Sequence, residues 1–331
     1  MATSVWFWVG FIAFVLAMLA LDLGVFHRKA HEVRPREAGI WVAVWVSLAL
    51  LFAAGLWRFE SPETSLKFLT GYVIEESLSV DNLFVMVVIF EYFAVPAACH
   101  HRVLFYGILG ALIMRGIFIG MGSLLLARFD WILYVFGALL LFTGIRMMFK
   151  QDEEFDGDNN RVVRLVRKFI PMTSAYHGKR FFVVEAGRRV ATPLLLVLVL
   201  VEFTDLVFAI DSIPAIFGIT TDPFIVFTSN IFAILGLRSM YFLLAAVVDK
   251  FYLLKYGLAI VLSFIGVKML VEPWIHFDIL LSLGVVVGTI AISILASLIW
   301  PERARGPEVA RVEGRTGSIF GTLRTKKKKG G

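Results

Sequence analysis

The sequence has one cysteine, Cys99, among its 331 residues. A disulfide framework and a dithiol redox pair within one chain are therefore excluded. Charged residues are scarce as well, at 18% of the chain, against roughly a quarter in soluble domains. No segment follows the GxxxxGK[ST] pattern that cradles nucleotide phosphates, so the sequence does not predict an ATP-driven protein.

Apolar residues, by contrast, make up 59% of the chain and are concentrated in long runs. About 20 consecutive apolar residues form a helix that crosses a hydrocarbon core of about 30 Å. The sequence therefore predicts an all-α membrane protein with nine transmembrane helices. The predicted spans are 5–26, 39–59, 68–90, 102–127, 131–149, 192–216, 223–247, 256–274 and 278–300.

Basic residues are unevenly distributed between the predicted loops. If the N-terminus lies outside, 25 of the 32 Lys and Arg residues fall in cytoplasmic loops and in the C-terminal tail. Because basic loops remain in the cytoplasm, this asymmetry predicts an N-out, C-in topology. The net charge of +6 then reflects membrane topology and does not indicate a nucleic-acid partner.

The predicted loops are short except for one polar segment, residues 150–190. This segment separates spans 1 to 5, in residues 1–149, from spans 6 to 9, in residues 191–300. Residues 301–331 form a basic tail that includes the run Lys326–Lys329. A run of like charges of this kind predicts a disordered cytoplasmic segment.

An internal repeat relates the two membrane parts. Two acids stand six positions apart in span 3 and again in span 6, and an amide or a hydroxyl follows the second acid. The matching residues are Glu75, Asp81 and Asn82 in span 3, and Asp205, Asp211 and Ser212 in span 6. In span 4, Arg115 stands eight residues after Gly107. In span 7, Arg238 stands eight residues after Asn230.

The predicted topology makes this repeat an inverted one. Span 3 runs inward and span 6 runs outward, so spans 3–5 and spans 6–8 form an inverted 3+3 repeat. This arrangement is typical of secondary transporters, in which the substrate site lies at the repeat interface near the middle of the membrane.

Six acidic residues fall within the predicted membrane helices: Glu75, Glu76, Asp81, Glu202, Asp205 and Asp211. An ionised acid at the centre of a membrane helix costs roughly 2.5–3.5 kcal/mol, so six without partners would cost roughly 15–20 kcal/mol. Arg115 and Arg238 are the only deep basic residues in the predicted spans, and they leave four acids to be neutralised. Protons, a divalent cation, or the two in exchange could neutralise them.

The deep polar groups offer oxygen ligands, because no Cys or His falls deep within a predicted span. Oxygen-only sites suit Mg²⁺, Ca²⁺ or Mn²⁺. The residues expected to bind the metal directly are Glu75, Asp81, Asp205 and Asp211. A second tier of candidate ligands comprises Asn82, Glu76, Glu202, Thr204 and Ser212. Arg115 and Arg238 are expected to be counter-charges.

Helical geometry limits which of these groups can meet. At 100° per residue, Asp81 points about 120° away from Glu75, and Asp211 is separated from Asp205 by the same angle. One ion can reach both faces only where a helix is locally unwound or crossed by its neighbours. Pro214 predicts such a break, because proline removes a helix hydrogen bond beside Asp211.

Other interpretations of the acids remain open. They could be structural partners of the two arginines. The chain could export a small cationic organic solute, for which aromatic contacts are expected at the site. It could also be a non-transporting membrane scaffold that recruits partners through loop 150–190 and the tail. In that case deletion of the loop would abolish function and neutralisation of the acids would not. No enzymatic activity is predicted.

Three stretches are similar to the TerC family, and most of all to its Alx branch: FLTGYVIEESLSVDNLFVM (68–86), RFDWILYVFGALLLFTGIRMM (128–148) and residues 191–245. The resemblance implies a bacterial inner-membrane protein linked to manganese export, to the alkaline-pH response and, by name, to tellurium resistance. It carries the family's site roles to Glu75, Asp81, Asn82, Asp205, Asp211 and Ser212.

Together these features lead us to expect an exporter of Mn²⁺ that works by alternating access and exchanges the metal for protons. Its expected partners are the divalent ion, protons and the lipid bilayer, and no resident cofactor is expected. The sequence predicts no oligomeric state.

Overall fold

The computed structural model describes residues 5–26, 35–149, 157, 160–185, 187–245, 253–275 and 277–300. The helices in these residues are α1 (Val5–Phe26), α2 (Pro35–Phe59), α3 (Pro62–Tyr92), α4 (Ala97–Arg128), α5 (Ile132–Phe149), α6 (Arg161–Phe169), α7 (Pro193–Phe217), α8 (Pro223–Leu244), α9 (Leu254–Val271) and α10 (Ile279–Ile299). The strands are β1 (Phe182–Glu185) and β2 (Arg188–Ala191). The predicted tail, 301–331, and residues 150–156 of the predicted loop lie outside the described residues.

The predicted class, a helical membrane protein, is confirmed. Within the described residues, seven helices are long and apolar enough to cross a membrane, namely α2, α4, α5, α7, α8, α9 and α10. Helices α1 and α3 coincide with the other two predicted spans. Because α3 carries Glu75, Glu76 and Asp81, hydropathy alone does not establish that it crosses. The count of nine crossings therefore stays a prediction.

Local sequence signals begin several of the long helices. Ser61 accepts a hydrogen bond from the backbone N–H of Thr64 at 3.0 Å and caps α3. Asp222 caps α8 in the same way through the N–H of Phe224, at 2.9 Å. Pro follows the capping position at the start of α3, α7 and α8, where its missing N–H costs nothing. α7 continues as a helix past Pro214 to Phe217.

Four helices form the centre of the bundle. α3 packs against α7 and α8, and α4 packs against the same two helices. Of these apolar helices, α8 is the most enclosed, since 89% of the residues in its most apolar 18-residue stretch are buried. The corresponding share for α10 is 11%, and α10 lies at the periphery. The side chains that α3, α4, α7 and α8 direct at one another are therefore held away from lipid.

The pair formed by α5 and α9 flanks this centre. Gly137 of α5 faces Gly266 of α9, and a Cβ at Gly266 would lie 2.6 Å from the backbone nitrogen of Leu141. Small residues allow this close approach, as is common between membrane helices. Because α5 also contacts α7, the pair brings α5 side chains next to the second half of α7.

The polar segment between α5 and α7 contains structure that the sequence analysis did not predict. It holds the short helix α6 and an antiparallel hairpin in which Phe182 pairs with Ala191. Gly187 has φ +76° in the turn, a conformation that favours glycine. We call residues 170–181, which lie between α6 and the hairpin, the strap.

The strap connects the turn between α3 and α4 to the start of α7. The hydroxyl of Tyr176 donates to the carbonyl of Phe93 at 2.7 Å, and the N–H of Thr192 donates to the carbonyl of Phe181 at 2.9 Å. Burial raises the pKa of the Tyr176 hydroxyl, which therefore stays protonated as a donor. We call the end of the bundle on which the strap lies the loop end.

Candidate ion-binding site

A buried arginine joins two of the predicted ligands at the centre of the bundle. Arg115 of α4 forms ion pairs with Glu75 of α3 and with Asp205 of α7. Its Nη2 donates to Asp205 Oδ1 at 2.9 Å, its Nε to Asp205 Oδ2 at 3.3 Å, and its Nη1 to Glu75 Oε1. All three side chains are at most 3% exposed. A guanidinium fork that pairs with carboxylates in this way fixes their orientation as well as their charge.

Two amides complete the cluster. Asn82 of α3 donates from Nδ2 to Asp205 Oδ1 at 2.7 Å. Asn230 of α8 donates from Nδ2 to Glu75 Oε2 at 2.9 Å, and its Oδ1 accepts from Arg115 Nη1 at 3.1 Å. We call Glu75, Asn82, Arg115, Asp205 and Asn230 the central cluster. With two acids and one arginine, it carries a formal charge of −1.

Asn230 was not among the residues predicted to form the site. The sequence did carry a signal, because Asn230 stands eight residues before Arg238, at the position that Gly107 occupies relative to Arg115. An asparagine within an apolar span needs a polar partner, and the amide of Asn230 lies against Glu75.

Buried oxygen atoms without a hydrogen-bond donor accompany the cluster. Among the residues that the structure describes, they include Oγ of Ser79, Oδ1 of Asn82, Oγ of Ser212, and Oε2 of Glu76 and of Glu202. Ser79 and Asn82 share the α3 face of Glu75, and Ser212 shares the α7 face of Asp205. Burying such acceptors is costly unless a donor or a cation satisfies them, so these faces suit an ion with oxygen ligands.

A glycine makes room for Glu202, and another glycine lies beside Glu76. A Cβ at Gly110 of α4 would overlap the carboxyl group of Glu202. At Gly236 of α8, a Cβ would lie 3.8 Å from Oε1 of Glu76. Glu202 therefore packs against the backbone of α4, and Glu76 lies beside α8. Neither glutamate is among the carboxylates that pair with Arg115.

Asp211 lies apart from the central cluster. Its Oδ1 accepts a hydrogen bond at 3.0 Å from Oγ1 of Thr143 in α5. The separation follows from geometry, because six residues turn a straight helix by 600° and leave Asp211 about 120° from Asp205. Asp81 is half-buried and has the same spacing from Glu75 in α3. Because α7 stays helical through Pro214, no unwinding brings its two acids onto one face.

The four predicted direct ligands are thus not preassembled. Within the described ranges, no three Asp, Glu, His or Cys side chains are grouped closely enough to hold one metal ion. The structure joins Glu75 with Asp205 and places Asp211 against α5, so the convergence of all four acids on one ion stays a prediction. The hydroxyl of Thr204, a second-tier candidate, donates to the carbonyl of Val201 within its own helix at 2.9 Å.

A small cavity lies beside the cluster on its loop-end side. Its volume is about 10 Å³, and it is lined by Asp205, Arg238, Gly107 and apolar residues of α3, α4, α7 and α8. A space of this size holds about one water molecule. Arg238, the second predicted counter-charge, is 2% exposed and lines this cavity together with Asp205.

The apolar helices and the buried acid–arginine cluster define an integral membrane protein with an ionisable core. Residues 60–305 match the Integral membrane protein TerC family, and the chain belongs to that family. The predicted resemblance is therefore confirmed.

Named relatives are similar over most of their length. One is the "Uncharacterized membrane protein STKORF319" of Myxococcus xanthus, 57% identical over 88% of this chain and 92% of the relative. Another is the "Putative membrane-bound redox modulator Alx" of Escherichia coli, 51% identical over 87% of this chain and 92% of the relative. An "Uncharacterized membrane protein" of Rickettsia bellii is 38% identical over 88% of this chain and 97% of the relative. No solved structure matches the chain.

Proposed function

We propose that this chain is a secondary transporter that exports Mn²⁺ across the bacterial inner membrane in exchange for protons. One observation carries the proposal: Glu75 and Asp205, from two matching segments of the sequence, meet on one guanidinium in the centre of the bundle. Two buried acids paired with one buried base can exchange that pairing for a bound cation or for protons.

The chemistry of the cluster favours a hard divalent cation. Carboxylate and amide oxygens surround Arg115, and oxygen ligands of this kind suit Mg²⁺, Ca²⁺ and Mn²⁺. The formal charge of −1 is too low to hold a divalent ion tightly while the guanidinium stays in place. Cation binding would therefore compete with Arg115 for Glu75 and Asp205, and ligands must be deprotonated to bind. Competition of this kind couples metal to protons and to a movement of α4.

Several features support transport by alternating access. The acids of α3 and α7 stand at matched positions, as expected of an inverted 3+3 repeat of spans 3–5 and 6–8. Nine crossings with the N-terminus outside would place the basic residues of the loop end in the cytoplasm. The cavity beside Asp205 has room for about one water molecule, which favours a single ion over an organic cation.

The name of the Escherichia coli relative, a redox modulator, agrees with a metal substrate better than with thiol chemistry. A dithiol couple within one chain needs two cysteines, and this chain has only Cys99. Any effect of this chain on the redox state of a cell would then pass through its transported ion or through a partner.

Transport by purified protein in proteoliposomes tests the proposal. We expect Asp205→Asn to lower Mn²⁺ flux at least tenfold, because it removes the carboxylate through which α7 contacts Asn82 of α3 and Arg115 of α4. Asp130→Asn, an exposed acid between α4 and α5, is the matched control and should transport like the parent. Equal flux in the two variants, or no Mn²⁺ flux by the parent, would refute the proposal.

A further inference from the structure

Helix α6 has one face packed on the bundle and one face directed outward. Asn160 caps the helix by accepting from the N–H of Val162 at 2.9 Å. Val163 and Val166 are buried in the hydrophobic core that includes the ends of α3, α4 and α7. The opposite face carries the exposed residues Arg161, Arg164, Leu165 and Lys168. The buried valines therefore fix the orientation in which this basic face is presented.

The outward face is not purely polar. Leu165 is 58% exposed and Phe169 is 71% exposed. The Nζ of Lys168 lies 5.8 Å from the centre of the Phe169 ring. An exposed leucine and phenylalanine among basic side chains are typical of helices that lie in a membrane interface, with apolar groups at the acyl boundary and cations at the headgroups.

The chain from Asn160 onward is basic. Residues 160–192 contain eight Lys and Arg residues and a single acid, Glu185, whereas residues 152–158 before α6 contain five acids. The chain leaves α5 at Phe149 and enters α7 at Pro193, so the segment lies at the end of two membrane helices. At that level the most abundant anions are the phosphates of acidic phospholipids, and clusters of four to eight basic residues next to a membrane helix are typical binders of such lipids.

We infer that the outward face of α6 binds anionic phospholipids of the adjoining leaflet, with Leu165 and Phe169 inserted at the acyl boundary. This inference depends on the membrane location of the chain and not on the proposed transport of Mn²⁺. It gives α6 a role in anchoring the loop end of the bundle to the lipid surface.

Site-directed spin labelling tests this directly, because the parent chain has one cysteine. A nitroxide is attached at Leu165→Cys in a Cys99→Ser background, and the protein is placed in nanodiscs of phosphatidylcholine with or without phosphatidylglycerol. Collisions with oxygen and with a water-soluble nickel chelate report the depth of the label. We expect the label to be accessible to oxygen and shielded from nickel when phosphatidylglycerol is present.

Two charge variants locate the binding face. Replacement of Arg161, Arg164 and Lys168 by Gln should return the label to water and weaken phosphatidylglycerol binding on the order of a hundredfold. Replacement of Lys179, Arg188 and Arg189 by Gln removes the same charge from the strap and hairpin and should leave the depth of the label unchanged.

Three results would contradict lipid binding by α6. A label open to nickel in both lipid compositions would overturn the inference. An equal loss of depth in the two charge variants would overturn the assignment to α6. If inorganic phosphate added to phosphatidylcholine discs shielded the label as well as phosphatidylglycerol does, the site would bind free anions and the lipid assignment would be wrong.

Discussion

Replacement of Arg115 by methionine removes the one base that holds Glu75 and Asp205 together. Arg115 makes four side-chain hydrogen bonds, two to Asp205, one to Glu75 and one to Asn230. After the replacement, Asn82 still donates to Asp205 and Asn230 still donates to Glu75. Methionine keeps an unbranched apolar stem but has no guanidinium, so the change removes the charge of Arg115 together with its hydrogen bonds.

The expected magnitude follows from burial. Hydrogen bonds to charged groups contribute about 1.5–3 kcal/mol each, but bonds that share one guanidinium do not add. Removing one partner of a buried ion pair costs about 3–5 kcal/mol, because the other charge is left uncompensated. All three charged side chains are at most 3% exposed, so we expect a loss of stability within that range.

If a divalent cation competes with the guanidinium, Mn²⁺ should restore stability to Arg115→Met. A ligand at about 100 times its dissociation constant adds about 2.7 kcal/mol to the free energy of unfolding. The assay is thermal unfolding in detergent, followed by tryptophan fluorescence, with and without Mn²⁺. Arg146→Met, at an exposed position in the last turn of α5, is the control for loss of a positive charge.

Two results would refute this reasoning. Arg115→Met could unfold at the temperature of the parent, which would mean that the buried ion pairs contribute nothing measurable. Alternatively, Mn²⁺ could raise the unfolding temperatures of Arg115→Met and Arg146→Met equally, which would mean that Arg115 does not compete with the ion for Glu75 and Asp205.

The remaining predictions concern the neighbours of the cluster. Gly110→Ala should lower Mn²⁺ flux severalfold, because its Cβ displaces the carboxyl group of Glu202. Gly120→Ala on the same helix is the control, since its Cβ meets open space and should leave the flux unchanged. Equal flux in the two variants would exclude a role for the contact between Gly110 and Glu202. Tyr176→Phe should destabilise the strap by about 1 kcal/mol and speed hydrogen exchange of its amides, and unchanged exchange would show that the bond to the α3–α4 turn does not hold the strap. Asp211→Asn should lower flux but leave the thermal stability within about 0.5 kcal/mol of the parent. A large loss of stability would instead assign Asp211 a structural role.

Much of the fold could be predicted from the order of the residues. Each long apolar run became a helix because backbone groups in a membrane must be satisfied within their own segment. The helix α6 escaped prediction because nine residues give a short periodic signal, and its valines are recognisable as buried only once the bundle end is present. The hairpin was missed because each of its strands has only four residues.

The candidate site, like the fold, could be predicted from the sequence only in part. Glu75, Asp205 and Arg115 could be found from the sequence, because charge within an apolar run is costly and must have partners. Which acids the arginine holds could not be found, since Glu75, Asp81, Asp205 and Asp211 are equivalent in hydropathy and spacing. Packing separated them: α4 faces the Glu75 and Asp205 sides of α3 and α7, while α5 faces Asp211.

The sequence by itself determined that this chain is a helical membrane protein of the TerC family with acids in its core, because hydropathy and motif are local properties of the chain. Only the tertiary structure decided that one arginine joins Glu75 to Asp205, that Asn230 belongs to the cluster, and that Asp211 bonds to Thr143. These contacts join residues 40 to 155 positions apart. Which side chains meet depends on how the helices rotate and cross, and a local sequence pattern does not predict those rotations and crossings.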